Sequence, residues 1–394
     1  MKRTIKLAVA AAVALTSTAA FATNGDNLIG VGAKSRGMGG VGIGMSHGAE
    51  SALANPAMIA TVKGTEISFG GTVFMPDVST NTGTGMSAGF LDSDADLSVI
   101  PEVAVAQKVS DNLTWGIGMF GTAGMGTDYR DEATQTGNFN MVTNLQLMQF
   151  ALPIAYTLDG LTVAVAPIIQ YGALDINFNN GANRGTGVGQ DLGLGYSVGA
   201  GYTMGDLTVG AVYKSPIAMT YDRVLTTAAG AFGLTNVTNT LEQPAEYGAG
   251  ISYKMGASTF AFDYKQVQWG SAEGYEQFKW EDQDVYVLGY EYDAGGWAAR
   301  IGYNHAESPI KEQANVGTGH VLNVLNLLGF PAIVEDHYTV GGTYDFSKNT
   351  SLDVAYAYSP ETEESFGATG AGLAGNITTK HSQQAVTAQV NFNF

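Results

Sequence analysis

The chain has 394 residues and a formal charge of −18, with 45% apolar but only 14% charged residues, well below the roughly 25% charged of a soluble domain. It has no cysteine, so disulfides cannot stabilise it, and 53 glycines against 10 prolines do not describe a disordered chain. The acidic balance argues against nucleic acid as a partner.

Residues 1–22 read as an export signal. Lys2, Arg3 and Lys6 precede an apolar core from Leu7 to Leu15, too short for the roughly 20 residues of a membrane helix. Ala20-Phe21-Ala22 is a cleavage site that places the start of the mature chain at Thr23. No later stretch approaches the roughly 18 uninterrupted apolar residues of a spanning helix. A membrane-spanning form must then be a closed β-barrel, because only closure pairs every backbone N–H and C=O inside lipid.

Residues 23–63 are small, glycine-rich and without strand periodicity, and carry "LANPAMIA" at 53–60. From Thr65 onward apolar and polar residues alternate. Fourteen strands are predicted, over 65–78, 96–108, 113–121, 142–158, 161–178, 191–204, 207–221, 241–254, 258–269, 284–292, 297–305, 337–346, 351–358 and 380–394. Six tight turns (110–112, 159–160, 205–206, 255–257, 294–296 and 347–349) alternate strictly with seven long loops. Short turns at one end and long loops at the other are the pattern of an outer-membrane barrel, with the short turns in the periplasm. The even strand count puts both termini on the periplasmic side.

In the last strand Val386, Ala388, Val390, Phe392 and Phe394 fall on one face, and Thr387, Gln389, Asn391 and Asn393 on the other. A soluble β-sandwich alternates too, but places charges on its second face. Here that face is Gly, Ser, Thr, Asn and Gln, which suits a lumen. The terminal Phe394 resembles the signal read by the outer-membrane barrel assembly machinery. Fourteen strands enclose more space than their own side chains fill. The expected fold is therefore all-β: a 14-stranded antiparallel transmembrane β-barrel over 64–394, with residues 23–63 folded into the lumen as a plug, or hatch.

The stretch "GAKSRGMGGVGIGMSHGAESALANPAMIA" (32–60) resembles the hatch of the long-chain fatty acid transporter family of Gram-negative outer membranes (the FadL/TodX type), with its Asn-Pro-Ala motif at Asn55, Pro56 and Ala57. "VYKSPIAMTYD", "FDYKQVQWGS", "ARIGYNHAESPI" and "FPAIVEDHYTVGGTYDFSKNTSLDVAYAYS" resemble strand signatures of the same family. The likeness covers essentially the whole mature chain. It implies a channel for passive uptake of a hydrophobic small molecule, a fatty acid or an aromatic or aliphatic hydrocarbon; a monomer is expected. It further implies an outer groove between loops, a deeper site at the plug, and a lateral opening where the third strand kinks inward. Lipid and lipopolysaccharide of the outer membrane are the expected surroundings.

Three groups of residues are candidates. Gly116, Gly118, Gly121 and Gly124 make the third strand prone to bend, and glycine within a strand often marks a bulge. Leu322, Leu325, Leu327, Leu328 and Phe330 form an apolar cluster in a long external loop, expected to line the outer groove. Arg130, Arg184 and Lys311 in long loops are the cations considered for a ligand carboxylate; contact with lipopolysaccharide phosphates is the competing role. The Asn55-Pro56 turn is read as an anchor of the plug.

Other signals lead nowhere. A G-x-G-x-x-G run at 37–42 has no preceding strand and no βαβ unit. Asp92, Asp94 and Asp96 start like a calcium loop, but the required glycine is Leu97. The five histidines have no zinc spacing, and no nucleophile–base pair is evident, so neither metal, cofactor nor enzyme activity is expected. A water-filled porin and a structural or adhesive surface barrel are the alternatives; a porin needs no N-terminal plug.

Overall fold

The computed structural model describes residues 23–83, 89–130, 137–371, 373 and 375–394. The export signal expected over 1–22 lies outside them. Fourteen antiparallel strands form the wall. They are β1 (Thr65–Asn81), β2 (Ser98–Lys108), β3 (Leu113–Asp128), β4 (Val142–Ala151, continued by Ile154–Leu158), β5 (Leu161–Asn179), β6 (Gly189–Met204) and β7 (Leu207–Lys214), then β8 (Glu246–Met255), β9 (Ser258–Val267), β10 (Gln283–Asp293), β11 (Trp297–Ala306), β12 (Asp336–Ser347), β13 (Thr350–Gly367) and β14 (Asn376–Asn393). Each pairs with its neighbours in sequence, and β14 closes the ring on β1 from Thr378↔Asn81 to Asn393↔Glu66. No sheet edge is left over at that junction, as a hydrocarbon environment demands.

The alternation sorts side chains to two sides of this wall. On β14 Val386 is 45% exposed while Thr387 is 1% exposed. Aromatic residues such as Tyr247, Tyr286, Trp297, Tyr338 and Tyr344 stand on the outer surface, as in the interfacial girdles of membrane barrels.

Four strand bounds differ from expectation by five residues or more. β3 runs to Asp128, not 121. β7 stops at Lys214 and β8 starts at Glu246, because Pro216 and Pro244 lack the N–H a ladder needs. Beyond Lys214 the alternation persists without a regular ladder, with Ile217, Met219 and Tyr221 buried. β13 extends to Gly367 through an irregularity between Ser359 and Thr362, next to Pro360.

Residues 23–62 lie inside the ring, since they bond to strands on every side of it. Arg36 pairs with Glu102 on β2 at 2.5 Å and donates to Thr72 on β1 and Thr387 on β14. Gly39 donates to Thr339 on β12 and accepts from Asn304 on β11. Gly42 and Ile43 donate to one oxygen of Asp263 on β9, and Gly44 to the other. Ser252 on β8 donates to the Gly44 carbonyl. In this segment α1 (Ala33–Gly37) and α2 (Ser51–Ala54) are single turns. The loops carry α3 (Val224–Ala231) and α4 (Gly319–Gly329).

Candidate functional site

The third strand leaves the wall. The β2–β3 ladder ends at Glu102↔Phe120, although β2 continues to pair with β1 up to Phe74↔Ser98. On the other side β3 faces β4 with Gly121↔Met148 followed by Ala123↔Leu147, so Thr122 is an extra residue. Such a bulge bends its strand. Residues 123–128 are then buried on both faces, which a wall strand with one lipid-facing side cannot be. Above the break Leu91–Asp92 pairs with Ser79 and Thr80 of β1, in the place β2 would hold.

Gly121 is thus at the break itself, where a Cβ would come within 2.5 Å of the Ile100 side chain. Gly124 follows it, and its N–H donates to the Asp26 carbonyl of the luminal segment. Gly116 and Gly118 sit lower, in the regular ladder.

The long external loop does not expose its apolar cluster. α4 is buried on all sides, with Leu322 at 6%, Leu325 at 7%, Leu327 and Leu328 at 0% and Phe330 at 8% exposure. Its C-terminal carbonyls would be orphans. Instead Leu327 accepts from Thr379, Leu328 from Thr127, Gly329 from Thr143, and Pro331 from His381 Nδ1. These donors lie on the inner faces of β14, β3 and β4, so the helix end is seated in the mouth of the barrel. The polar residues of α4 are satisfied there too. Asn326 bonds Trp280 and the Phe278 carbonyl, and Asn323 bonds Gln313 and Gly367.

Two small apolar cavities adjoin α4, of about 10 and about 20 Å³; both are lined by Leu225, Phe278 and Phe330. Leu325 lines the larger, Tyr275 and Trp280 the smaller. Each has about the volume of a single water, so this apolar compartment is filled largely by its own side chains.

Below it, Tyr275 donates to Asp26 Oδ2, and Trp269 packs on Gly25, leaving no room for a Cβ there. Asn27 pairs with Ala123 of β3 and lines a third cavity of about 70 Å³, along with Leu28, Ile29, Gln149, Lys214, Gln243, Glu246 and Lys265. Gly25–Asn27 therefore touches the aromatic cluster, the inner cavity and the bent strand at once.

Burial pushes the Asp26 carboxyl up to about 7 against the hydrogen bond from Tyr275; the Glu246 charge adds to the rise. An acid raised in the seated state stabilises that state fully below its free value of 3.8, and its contribution fades as pH climbs to about 7. Amide protection at Asn27 and Gly124 should fall over that window, by up to about 1.4 kcal/mol per pH unit. Asp26→Asn should remove this share; hydrogen exchange at stepped pH reads both outcomes.

Asn55 is extended (φ −149°) and caps the short helix Pro56–Thr61 by accepting from Ala57 N–H. Its Nδ2 donates to the carbonyls of Ile43 and of Ala200 on β6. A Cβ at Gly199 would fall 2.1 Å from the Asn55 oxygen, so glycine in the wall makes room for this contact.

The three loop cations stay apart from these cavities. Arg130 forms a bidentate pair with Asp128. Lys311 lies 3.7 Å from Glu307, and Arg184 is exposed in the short strand Asn183–Gly185. Other cations lie inside the ring: Arg300 on the wall and Arg36 of the luminal segment are buried, and Lys34, Lys214 and Lys265 are half-buried.

A family profile described as outer membrane protein transport protein (OMPP1/FadL/TodX) matches residues 8–394. A curated relative from Chlorobium limicola, an uncharacterized protein in the phosphoenolpyruvate carboxykinase gene 5′ region, is 40% identical over 116 residues, or 29% of this chain and 55% of its own length. The chain thus spans about half of that relative. Among solved structures, a Pseudomonas aeruginosa FadL homologue superposes with a TM-score of 0.72 at 14% identity, covering 94% of this chain and 100% of the other. The Pseudomonas putida toluene transporter TodX gives 0.70 at 18% identity over 94% and 100%. The Ralstonia pickettii toluene transporter TbuX gives 0.64 at 18% over 93% and 99%. At these identities the superpositions establish the fold.

Proposed function

The chain belongs to the OMPP1/FadL/TodX family of outer membrane transport proteins, and on that premise we propose that it carries hydrophobic small molecules passively through the outer membrane. The observation that carries this reading is the departure of β3 from β2, buried on both faces beyond Gly121. It supports a seam through which an apolar solute passes sideways into lipid without crossing water. The solved relatives are named as a FadL homologue and as toluene transporters, which fits a hydrophobic cargo.

The route proposed begins at the apolar compartment under α4, passes Tyr275 and the Gly25–Asn27 node, and leaves beside Thr122. A solute gains roughly 0.8 kcal/mol per methylene on leaving water. Displacing Leu325 and Phe330 from the compartment costs part of that gain, so the site opens only for a ligand that refills it. Residues 23–62 act as the plug, with Asn55 as an anchor to the wall. A luminal segment packed this closely disfavours a water-filled porin.

The test is uptake of labelled oleate and of toluene by cells that lack their own fatty acid transporter and express this chain. Uptake of either, without entry of small sugars, is expected; failure of both would overturn the proposal. Leu325→Ser should slow uptake severalfold, since a polar group replaces a buried isobutyl at roughly 2–5 kcal/mol. Equal uptake by this variant would remove the α4 compartment from the route.

A further inference from the structure

We propose that a cluster of roughly five ordered waters fills the polar node around Gly25–Asn27, and that a transported solute has to expel it before reaching the seam. The water site stands on the structure of the lumen alone; its effect on passage rests on the transport reading above.

The polar side chains of the node are buried but unpaired. Asn24 and Asp26 belong to the tight turn in which Asn24 pairs with Asn27, and both are fully buried. Among the described residues neither the oxygen nor the nitrogen of the Asn24 amide has a partner, and Asp26 Oδ1 has none. The same holds for Oε1 of Gln243, which lies beside Asp26. It holds again for the hydroxyl of Tyr221, a fully buried phenol close enough to sense the Asp26 charge. On β5, Gln170 Nε2 is unpaired too. Folded proteins leave few such groups, and each is costly if it stays dry.

The compartment under α4 is the contrast. Asn326, a polar residue of its lining, donates to the Phe278 carbonyl and accepts from Trp280. That space is apolar and closed; the node below it is polar and unfinished.

The unpaired atoms decide what fits. Asn24 Nδ2 and Gln170 Nε2 are donors, whereas Asn24 Oδ1 and Gln243 Oε1 are acceptors. A cation would serve the oxygens and leave the N–H groups bare. A hydrocarbon would serve neither. Water serves both, and it bridges groups that stand too far apart to bond directly. Asn27 and Gln243 line the cavity of about 70 Å³, as does Gln149, which donates to Gln170. A water takes up roughly 10–15 Å³ of such space. The ionic groups of Lys214, Glu246 and Lys265 on the same lining hold water firmly as well.

Position gives the cluster its consequence. It lies between the dry compartment under α4 and the break of β3. An apolar solute moving from one to the other strips the water and leaves the polar atoms bare, so crossing the node is the slow step.

Two measurements test this. X-ray radiolysis makes hydroxyl radicals from bound as well as bulk water, and mass spectrometry reads the side chains they oxidise. In the purified, folded protein Tyr221 should be labelled several times faster than Trp280, which is equally inaccessible from outside but lines the dry compartment. Labelling of Tyr221 no faster than that of Trp280 would overturn the water site. Tyr221→Phe removes one unpaired oxygen and no bonded one, so toluene uptake by cells expressing it should rise about fivefold. Heat-modifiable migration on gels checks its folding. Should it not fold, Asn24→Leu, which also removes only unpaired side-chain atoms, takes its place with the same expectation. Unchanged or slower uptake would overturn the node as the slow step. Wild-type cells that take up neither toluene nor oleate would sink the transport reading itself, and the labelling would then decide the water site alone.

Discussion

Deleting Thr122 should bring uptake of hydrophobic solutes down to the level of cells without the protein, while leaving a folded barrel. Thr122 is the one residue of β3 that has no counterpart on β4 between Gly121↔Met148 and Ala123↔Leu147. Without it the two strands pair continuously, and the faces of β3 beyond the break invert. Because alternation has a period of two, removal of a single residue swaps lumen-facing for lipid-facing positions. The outer half of β3 can then run beside Val99–Pro101 of β2 and close the seam. The ladder gains hydrogen bonds in this variant, so stability is not the expected casualty. Thr122→Ala keeps the extra residue and should transport nearly as wild type. Uptake assays on the two variants, with gel migration as the check on folding, separate a closed seam from a lost hydroxyl. Sustained uptake by the deletion variant would mean that solute leaves elsewhere.

Arg36→Met is expected to cost roughly 3–5 kcal/mol in the seating of the luminal segment, the penalty of leaving a buried charge without its partner. The side chains of Arg36 and Glu102 are 3% and 1% exposed. Glu102 also accepts from Gly32 N–H, so its carboxylate holds the segment at two points. With the guanidinium gone, the segment should loosen and small hydrophilic solutes should leak. Liposome swelling in arabinose reads the leak, and protease nicking within residues 30–45 reads the loosening. Adding Glu102→Gln to Arg36→Met removes the stranded charge and should restore most of the seal. A single variant as tight as wild type would show that the other bonds of the segment suffice.

The wall was legible in the sequence because lipid and lumen impose a period of two, and the turns carry their own punctuation. Where the reading overran by five residues or more, proline was the cause. Ile217, Met219 and Tyr221 keep alternating and stay buried, so the pattern continues past Pro216 although the ladder does not. The run of glycines in β3 suggested a bend, but the extra residue in its register is Thr122, and register with a neighbour cannot be read from one strand. The α4 cluster stood out by composition; its enclosure depends on Thr127, Thr143, Thr379 and His381, donors far away in sequence. Cations were sought in loops, where arginine and lysine are easiest to notice. Lys214, Glu246, Asp263 and Lys265 stand instead at lumen-side positions in the strands and line one cavity. A charge at such a position has to find a partner inside the ring, here on the neighbouring strand or on the luminal segment.

Arg36 binds Thr72 on the first strand and Thr387 on the last, and these two threonines face each other across the closing ladder. A side chain from inside the barrel thus clasps the junction at which the ring is completed. Thr387 is 351 residues further along the chain, and the Thr23 N–H meets Gln383 from 360 residues away. Contacts this distant are the last and slowest to form. The order of assembly follows: the first strand must keep its free edge until the final one arrives, and the enclosed segment gains its contacts with both only then. Closure and enclosure become one event in time, so a nascent chain that lacks its last strand has neither a sealed wall nor a settled interior.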